Sequence, residues 1–156
     1  MKTSTKTVGA LFAAKLLALS GFYAMSVGLL GATPAHALDM DLAVEGLTQS
    51  EGRVMVAVYT DANSWLKKPL TGTSVDASQQ INGRLVIKLQ DLPEGTLALS
   101  IFHDVNGNGK LDSNAMGMPK EPYGFSNNAA GSFGPPKFEK AQFEAKQGAL
   151  VSIQLN

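Results

Sequence analysis

The sequence predicts an all-β fold, an antiparallel β-sandwich of about seven strands with one long loop rich in Gly, Pro and Asn. Three observations carry this. Apolar residues recur with period two in six short runs, the spacing of half-buried strands. Turn-forming residues separate the runs. No stretch after residue 37 carries the periodicity of a long amphipathic helix.

Leu42, Val44 and Gly46 share one face of the first run, and Val54, Val56 and Val58 that of the second. Asp61 is placed to cap one helical turn over 61–66, turning Trp65 inward. Residues 67–80 are polar and contain Gly, which suits a loop or a weak edge strand. Leu85, Ile87 and Leu89 define a third run, and Leu97, Leu99 and Ile101 a fourth. The segment Asp91-Leu92-Pro93-Glu94-Gly95 joins these two as a reverse turn. Ala141, Phe143 and Ala145 mark a fifth, and Val151, Ile153 and Leu155 a sixth, with Gln147-Gly148 as their turn.

Ahead of the strands the sequence reads as an address. Lys2 and Lys6 precede an apolar run from Val8 to Leu30, interrupted by Lys15, and Ala35-His36-Ala37 gives a small-x-small cleavage pattern. The uninterrupted apolar part, Leu16–Leu30, is 15 residues, short of the ~20 that span a bilayer. The expectation is a signal peptide over 1–37 and one domain over 38–156, periplasmic or secreted, with no membrane span after signal removal. The intact chain balances 13 Lys and Arg against 13 Asp and Glu, but the 119-residue domain keeps ten basic and thirteen acidic residues, net −3. Nucleic-acid binding, which needs a basic excess, is excluded on that balance. With no Cys, disulfides, thiolate zinc sites, a thiol nucleophile and a lipid-anchored N-terminus are excluded as well.

Residues 104–137 stand apart. These 34 residues have no periodicity and hold six Gly, four Pro and five Asn. Long structureless loops in small domains are uncommon and are either functional or disordered. Leu111, Met116, Met118, Tyr123, Phe125 and Phe133 argue against disorder, so something should order the segment. The stretch Asp104-Val105-Asn106-Gly107-Asn108-Gly109-Lys110-Leu111-Asp112 fits the first nine positions of a calcium loop, D-x-[DN]-x-[DN]-G. Asp104, Asn106 and Asn108 supply oxygens at positions 1, 3 and 5, and Gly109 the sharp turn at position 6. Lys110 supplies its carbonyl at position 7, and Asp112 position 9. Position 12, a bidentate Glu in an EF-hand, is Ala115; Asn114, Glu121 or water is left to complete the shell. Two formal charges imply weak Ca²⁺ affinity, roughly 10⁻⁴–10⁻³ M. The competing reading needs no metal, because Asn106-Gly107 and Asn108-Gly109 are strong turn dipeptides by themselves.

The same segment carries a resemblance. His103 through Asp112, then Gly117-Met118-Pro119-Lys120-Glu121-Pro122-Tyr123-Gly124-Phe125-Ser126-Asn127-Asn128, then Phe133-Gly134-Pro135-Pro136-x-Phe138, with Leu92-Pro93-x-Gly95-Thr96 upstream, resembles the DUF2141 family of bacterial exported proteins over about residues 52–155. The resemblance implies a small exported sandwich of immunoglobulin-like or transthyretin-like kind, similar to carboxypeptidase-regulatory domains. It carries no activity.

Enzymatic readings find little. No nucleophile–base pair is evident. His103, the one histidine after residue 37, shares the phase of Leu97, Leu99 and Ile101, and is read as a structural residue at the core edge. A carboxylate pair such as Asp112 with Glu121 would be the kind suited to glycosidase-type hydrolysis. Tyr123, Phe125, Asn127 and Asn128 set aromatics beside amides, a surface suited to a carbohydrate or peptide; the alternative is that the aromatics pack the loop onto the sandwich. Three readings follow. The first is a non-enzymatic exported module with a Ca²⁺-ordered loop and a binding or envelope accessory role, its ligand and oligomeric state open. The second is a binding domain with a metal-free loop, and the third a hydrolase of envelope glycan or peptide.

Overall fold

Five of the six alternating runs lie in strands, the sixth does so in part, and two weaker segments add the rest. A computed structural model describes residues 37–156; the expected signal segment lies outside the described residues, except for Ala37. Eight strands follow in order: β1 (Ala37–Glu45), β2 (Arg53–Tyr59), β3 (Thr71–Asp76), β4 (Arg84–Pro93), β5 (Gly95–Asp104), β6 (Tyr123–Phe125), β7 (Phe143–Ala145) and β8 (Leu150–Gln154). They form a three-stranded sheet of order β4-β1-β8 and a five-stranded sheet of order β3-β2-β5-β6, with β7 also on β5. Short β6 and β7 share one edge of β5, pairing with Ser100–Phe102 and Gly95–Leu97 respectively.

The inward faces meet in one apolar core. Leu42, Val44, Leu85, Ile87, Leu89 and Ile153 from the small sheet face Val54, Val56, Val58, Leu97, Leu99 and Ile101 from the large one, all buried. The period-two pattern decides this: a one-residue slip would turn each set to solvent. Pairing is antiparallel throughout except that β8 runs parallel to β1, a departure from the expected antiparallel sandwich. β7 sits on the large sheet, so the chain crosses to the small sheet before β8 and enters beside β1 without a hairpin between them.

Three further differences have local causes. The segment expected as a strand over 140–145 splits into a one-turn helix, α1 (Phe138–Ala141), and β7. Phe138 and Ala141 lie three apart and are both buried, which one helical turn achieves and a strand would not. The β4–β5 turn is tighter than expected, with Glu94 alone between the strands; Asp91 and Gly95 absorb the reversal at positive φ (55° and 104°). The 104–137 segment is not wholly irregular, since it contains β6 and a 3-10 turn at Ser126–Asn128. Asp61 caps its turn as expected, its Oδ1 accepting the Asn63 and Ser64 N–H groups at 2.8 and 3.0 Å.

A second, smaller core lies on the outer face of the large sheet. Tyr59, Trp65, Ala98, Phe125, Phe138 and Ala141 are buried together there. Trp65 packs at ring-centroid distances of 5.0 Å to Tyr59, 5.8 Å to Phe125 and 5.9 Å to Phe138. Its Nε1–H donates to the Pro136 carbonyl at 2.8 Å. The indole thus binds the 61–66 turn and the 136–141 segment to the sheet. No helix among the described residues is long and apolar enough to cross a membrane.

Candidate functional site

The Asp104 loop grows out of the end of β5. Asp104 is the last residue of the strand and is 2% exposed. The chain then has to leave the sheet and return to form β6. Gly107 and Gly109 permit this with left-handed backbones (φ 74° and 75°). The buried Asp104 carboxylate is the hub. Its Oδ1 accepts the N–H groups of Gly107 (2.8 Å) and Asn108 (3.1 Å), and its Oδ2 accepts that of Gly109 (2.7 Å). Asn106 and Asn108 repeat the device, their Oδ1 atoms accepting the N–H groups of Asn108 and Lys110 at 3.0 and 2.8 Å. The backbone therefore winds around side-chain oxygens, the geometry that the spacing predicts.

Asp112 closes the ring. Its Oδ2 accepts from Asn106 Nδ2 at 2.7 Å, and its Oδ1 from Asn108 Nδ2 at 3.1 Å. The predicted positions 1, 3, 5 and 9 are thus linked in one cluster. A cation fits the donor chemistry in a specific way. Asp104 Oδ2 and the two amide oxygens each accept one N–H and keep a second lone pair. Among the described residues the Asp112 carboxylate accepts side-chain hydrogen bonds only from these two uncharged amides. Among the described residues no three His, Cys, Asp or Glu side chains group to hold a metal, so a cation here would rest on two carboxylates plus amide and carbonyl oxygens.

Glu121 is placed differently from a ligand. It is buried at 8% exposure, and its Oε1 and Oε2 accept the N–H groups of Val105 (3.0 Å) and Asp112 (2.9 Å). It clasps the start and end of the loop. Lys120 N–H to the Asp112 carbonyl and His103 N–H to the Pro122 carbonyl, both 2.8 Å, complete the closure. A side chain nine residues beyond the loop has no spacing signal for such a clasp. His103 is fully buried, as its phase predicts. Its Nε2–H donates to the Glu51 carbonyl at 2.7 Å, pinning the β1–β2 connection, and its Nδ1 has no partner among the described residues. Of the carboxylate pair named for hydrolysis, Glu121 holds backbone in place and Asp112 accepts from the Asn106 and Asn108 amides.

The second predicted surface is divided. Phe125 is buried under Trp65, and Tyr123 is half-buried beside it, 5.8 Å between ring centroids. Asn127 donates from Nδ2 to the Gln142 carbonyl at 2.8 Å, and Asn128 Oδ1 accepts the Gln154 N–H at 2.8 Å. Asn127 and Asn128 sit at positive φ (59° and 48°), which asparagine tolerates. The alternative reading, packing of the loop onto the sandwich, describes Phe125, while the two amides tie the segment to the α1–β7 junction and to β8. Between them Ser126, fully buried, accepts the Leu99 N–H at 2.9 Å and donates to the Ala141 carbonyl. No spacing pattern singled out Ser126; its only signal was a small hydroxyl beside an aromatic pair.

The family model for DUF2141, described as an uncharacterized protein conserved in bacteria, matches residues 42–153. The chain belongs to the DUF2141 family. The matched span runs from within β1 to within β8, so the DUF2141 unit includes both sheets, the Asp104 loop and the outer-face core. No curated protein and no solved structure matches the chain.

Proposed function

We propose that this DUF2141 chain is an exported, non-enzymatic binding module whose Asp104–Asp112 loop takes up Ca²⁺. One observation carries the reading: Asp104, Asn106, Asn108 and Asp112 converge at calcium-loop spacing, with Asp112 balanced only by neutral amide donors. A divalent cation would add charge where the loop has two carboxylates and, among the described residues, no ion pair to either. Ca²⁺ at ten times Kd then adds about 1.4 kcal/mol of stability. Thermal melting in millimolar calcium against chelator tests this. The expected result is a raised Tm that Asp112→Asn removes, and an unchanged Tm contradicts it. Export is tested by mass spectrometry of the protein recovered outside the cytoplasm, with Leu38 expected as the first residue.

A second reading is favoured by a different observation. Every carboxylate oxygen of Asp104, Asp112 and Glu121 already accepts an N–H donor, so the loop can stand as a metal-free structural element. It predicts that Asp112→Asn costs the same stability with calcium as with chelator.

A further inference from the structure

The outer faces of the two sheets differ in a way that packing alone does not require. On the small sheet, register places Asp41 beside Lys88 and Glu45 beside Arg84, the second pair 3.3 Å apart. On the large sheet the corresponding rows carry no charge. Ser74, Met55, Phe102 and Tyr123 lie side by side in one row, and Gly72, Ala57, Ser100 and Phe125 in the next. The Trp65 cluster covers Phe125 and Tyr59 but leaves Met55, Ala57, Ser100 and Phe102 half-exposed. Charge resumes only one row further, where Arg53 stands opposite Asp76 and Asp104.

This uncovered part is concave. A trough of about 370 Å³ lies across the strands, with Met55 and Phe102 on one side, Tyr59 and Pro69 on the other, and Gly109 of the Asp104 loop among its lining residues. The small residues Gly72, Ala57 and Ser100 supply its depth. That volume falls in the range of small-ligand sites, roughly 300–1,000 Å³, which pair an apolar lining with a few polar groups. None of the residues that line the trough is Asp, Glu, Lys, Arg or His, so an ionic ligand would find no counter-charge. Phe102 offers an aromatic ring and Met55 a polarisable thioether. Ser74 and Ser100 offer hydroxyls that donate and accept. A group with one apolar face and a neutral hydroxylated rim matches that arrangement.

We propose that this trough, floored by Ala57 and Ser100 and walled by Met55, Phe102 and Tyr59, is a binding site for a neutral sugar ring. The proposal names a ligand class for the binding role proposed above, but the floor and walls named here lie on β2 and β5, so it does not require a bound cation. The test is NMR titration of the isotopically labelled protein, in chelator, with the neutral disaccharides maltose, cellobiose and chitobiose and with the neutral dipeptide Gly-Trp. The expected result is saturable shifts of the Ala57, Ser100 and Phe102 amides by at least one disaccharide at millimolar concentration. Ser100→Leu, which fills the trough, and Phe102→Ala, which removes its wall, should each weaken binding by about tenfold or more, equivalent to about 1.4 kcal/mol. Retained amide dispersion verifies that each variant is folded. Shifts confined to other surfaces, no shift with any sugar, or movement of these amides by Gly-Trp alone would overturn the assignment. Because chelator is present throughout, a failure here is separable from a failure of the calcium reading.

Discussion

The segment between β5 and β7 is held in two unlike ways. Residues 104–121 are knitted by polar atoms: Asp104 gathers three backbone N–H groups, and Glu121 clasps both ends. Residues 123–141 are held by aromatic burial, with Phe125 and Phe138 packed on Trp65 and Ser126 sealed beneath. In the first half Met116 and Met118 remain exposed, so hydrophobic burial contributes little there. Hydrogen bonds exchange with water for a small net gain, whereas buried apolar area is a larger and less ion-sensitive term. The proposed ion would therefore alter the stability of the polar half and leave the aromatic half untouched.

The largest expected effect tests the aromatic half. Trp65→Ala should cost about 3–5 kcal/mol, since it removes the centre of the outer core, and the loss should be equal with calcium and with chelator. Urea unfolding in the two buffers measures it; a calcium-dependent loss would break the division. Next is Asp104→Asn, which weakens charge-assisted bonds worth about 1.5–3 kcal/mol at a buried hub. It should lower Tm and abolish the calcium response together. Glu121→Gln sharpens the comparison within the polar half. One of its two N–H partners loses an acceptor, for about 1–3 kcal/mol, yet the calcium response should persist because both oxygens serve backbone. A lost response would make Glu121 a ligand instead of a clasp.

The smallest effect lies in the 61–66 turn. The Ser64 hydroxyl and then its backbone N–H, both donating to the Asp61 carboxylate, hold that carboxyl below the usual range. A depressed folded-state value means the contribution is present above the unfolded carboxylate pKa and fades as pH falls through the folded one. Asp61→Asn should therefore lower Tm slightly at neutral pH, with the gap from the parent chain closing in acid. A gap that is constant with pH would remove the electrostatic part of that account.

The sandwich core was legible because period two fixes which side chain faces inward, and β1, β2, β4, β5 and β8 follow from it. Asp104, Asn106, Asn108 and Asp112 were legible as a cluster because calcium-loop spacing is short-range. The parallel entry of β8 beside β1 was not, since strand neighbours distant in sequence leave no local mark. Glu121 as a clasp, Ser126 as a buried bridge and the uncharged trough on the large sheet depend on residues that only the register brings together. The 140–145 run misled because Ala141 fits an alternating pattern as well as the end of a helical turn, and Trp65 with Phe138 decides between them.

The polar half is the proposed site of the ion. Titrating the labelled protein with CaCl₂ while following the amides of Gly107, Gly109 and Lys110 tests it most directly. The predicted result is saturable movement of these three with half-saturation at roughly 0.1–1 mM, leaving Trp65 and Phe125 unmoved. Amides of the Asp104 loop that stay fixed through 10 mM calcium, set at about ten times the weaker end of that range, would contradict it and leave the loop as a metal-free brace.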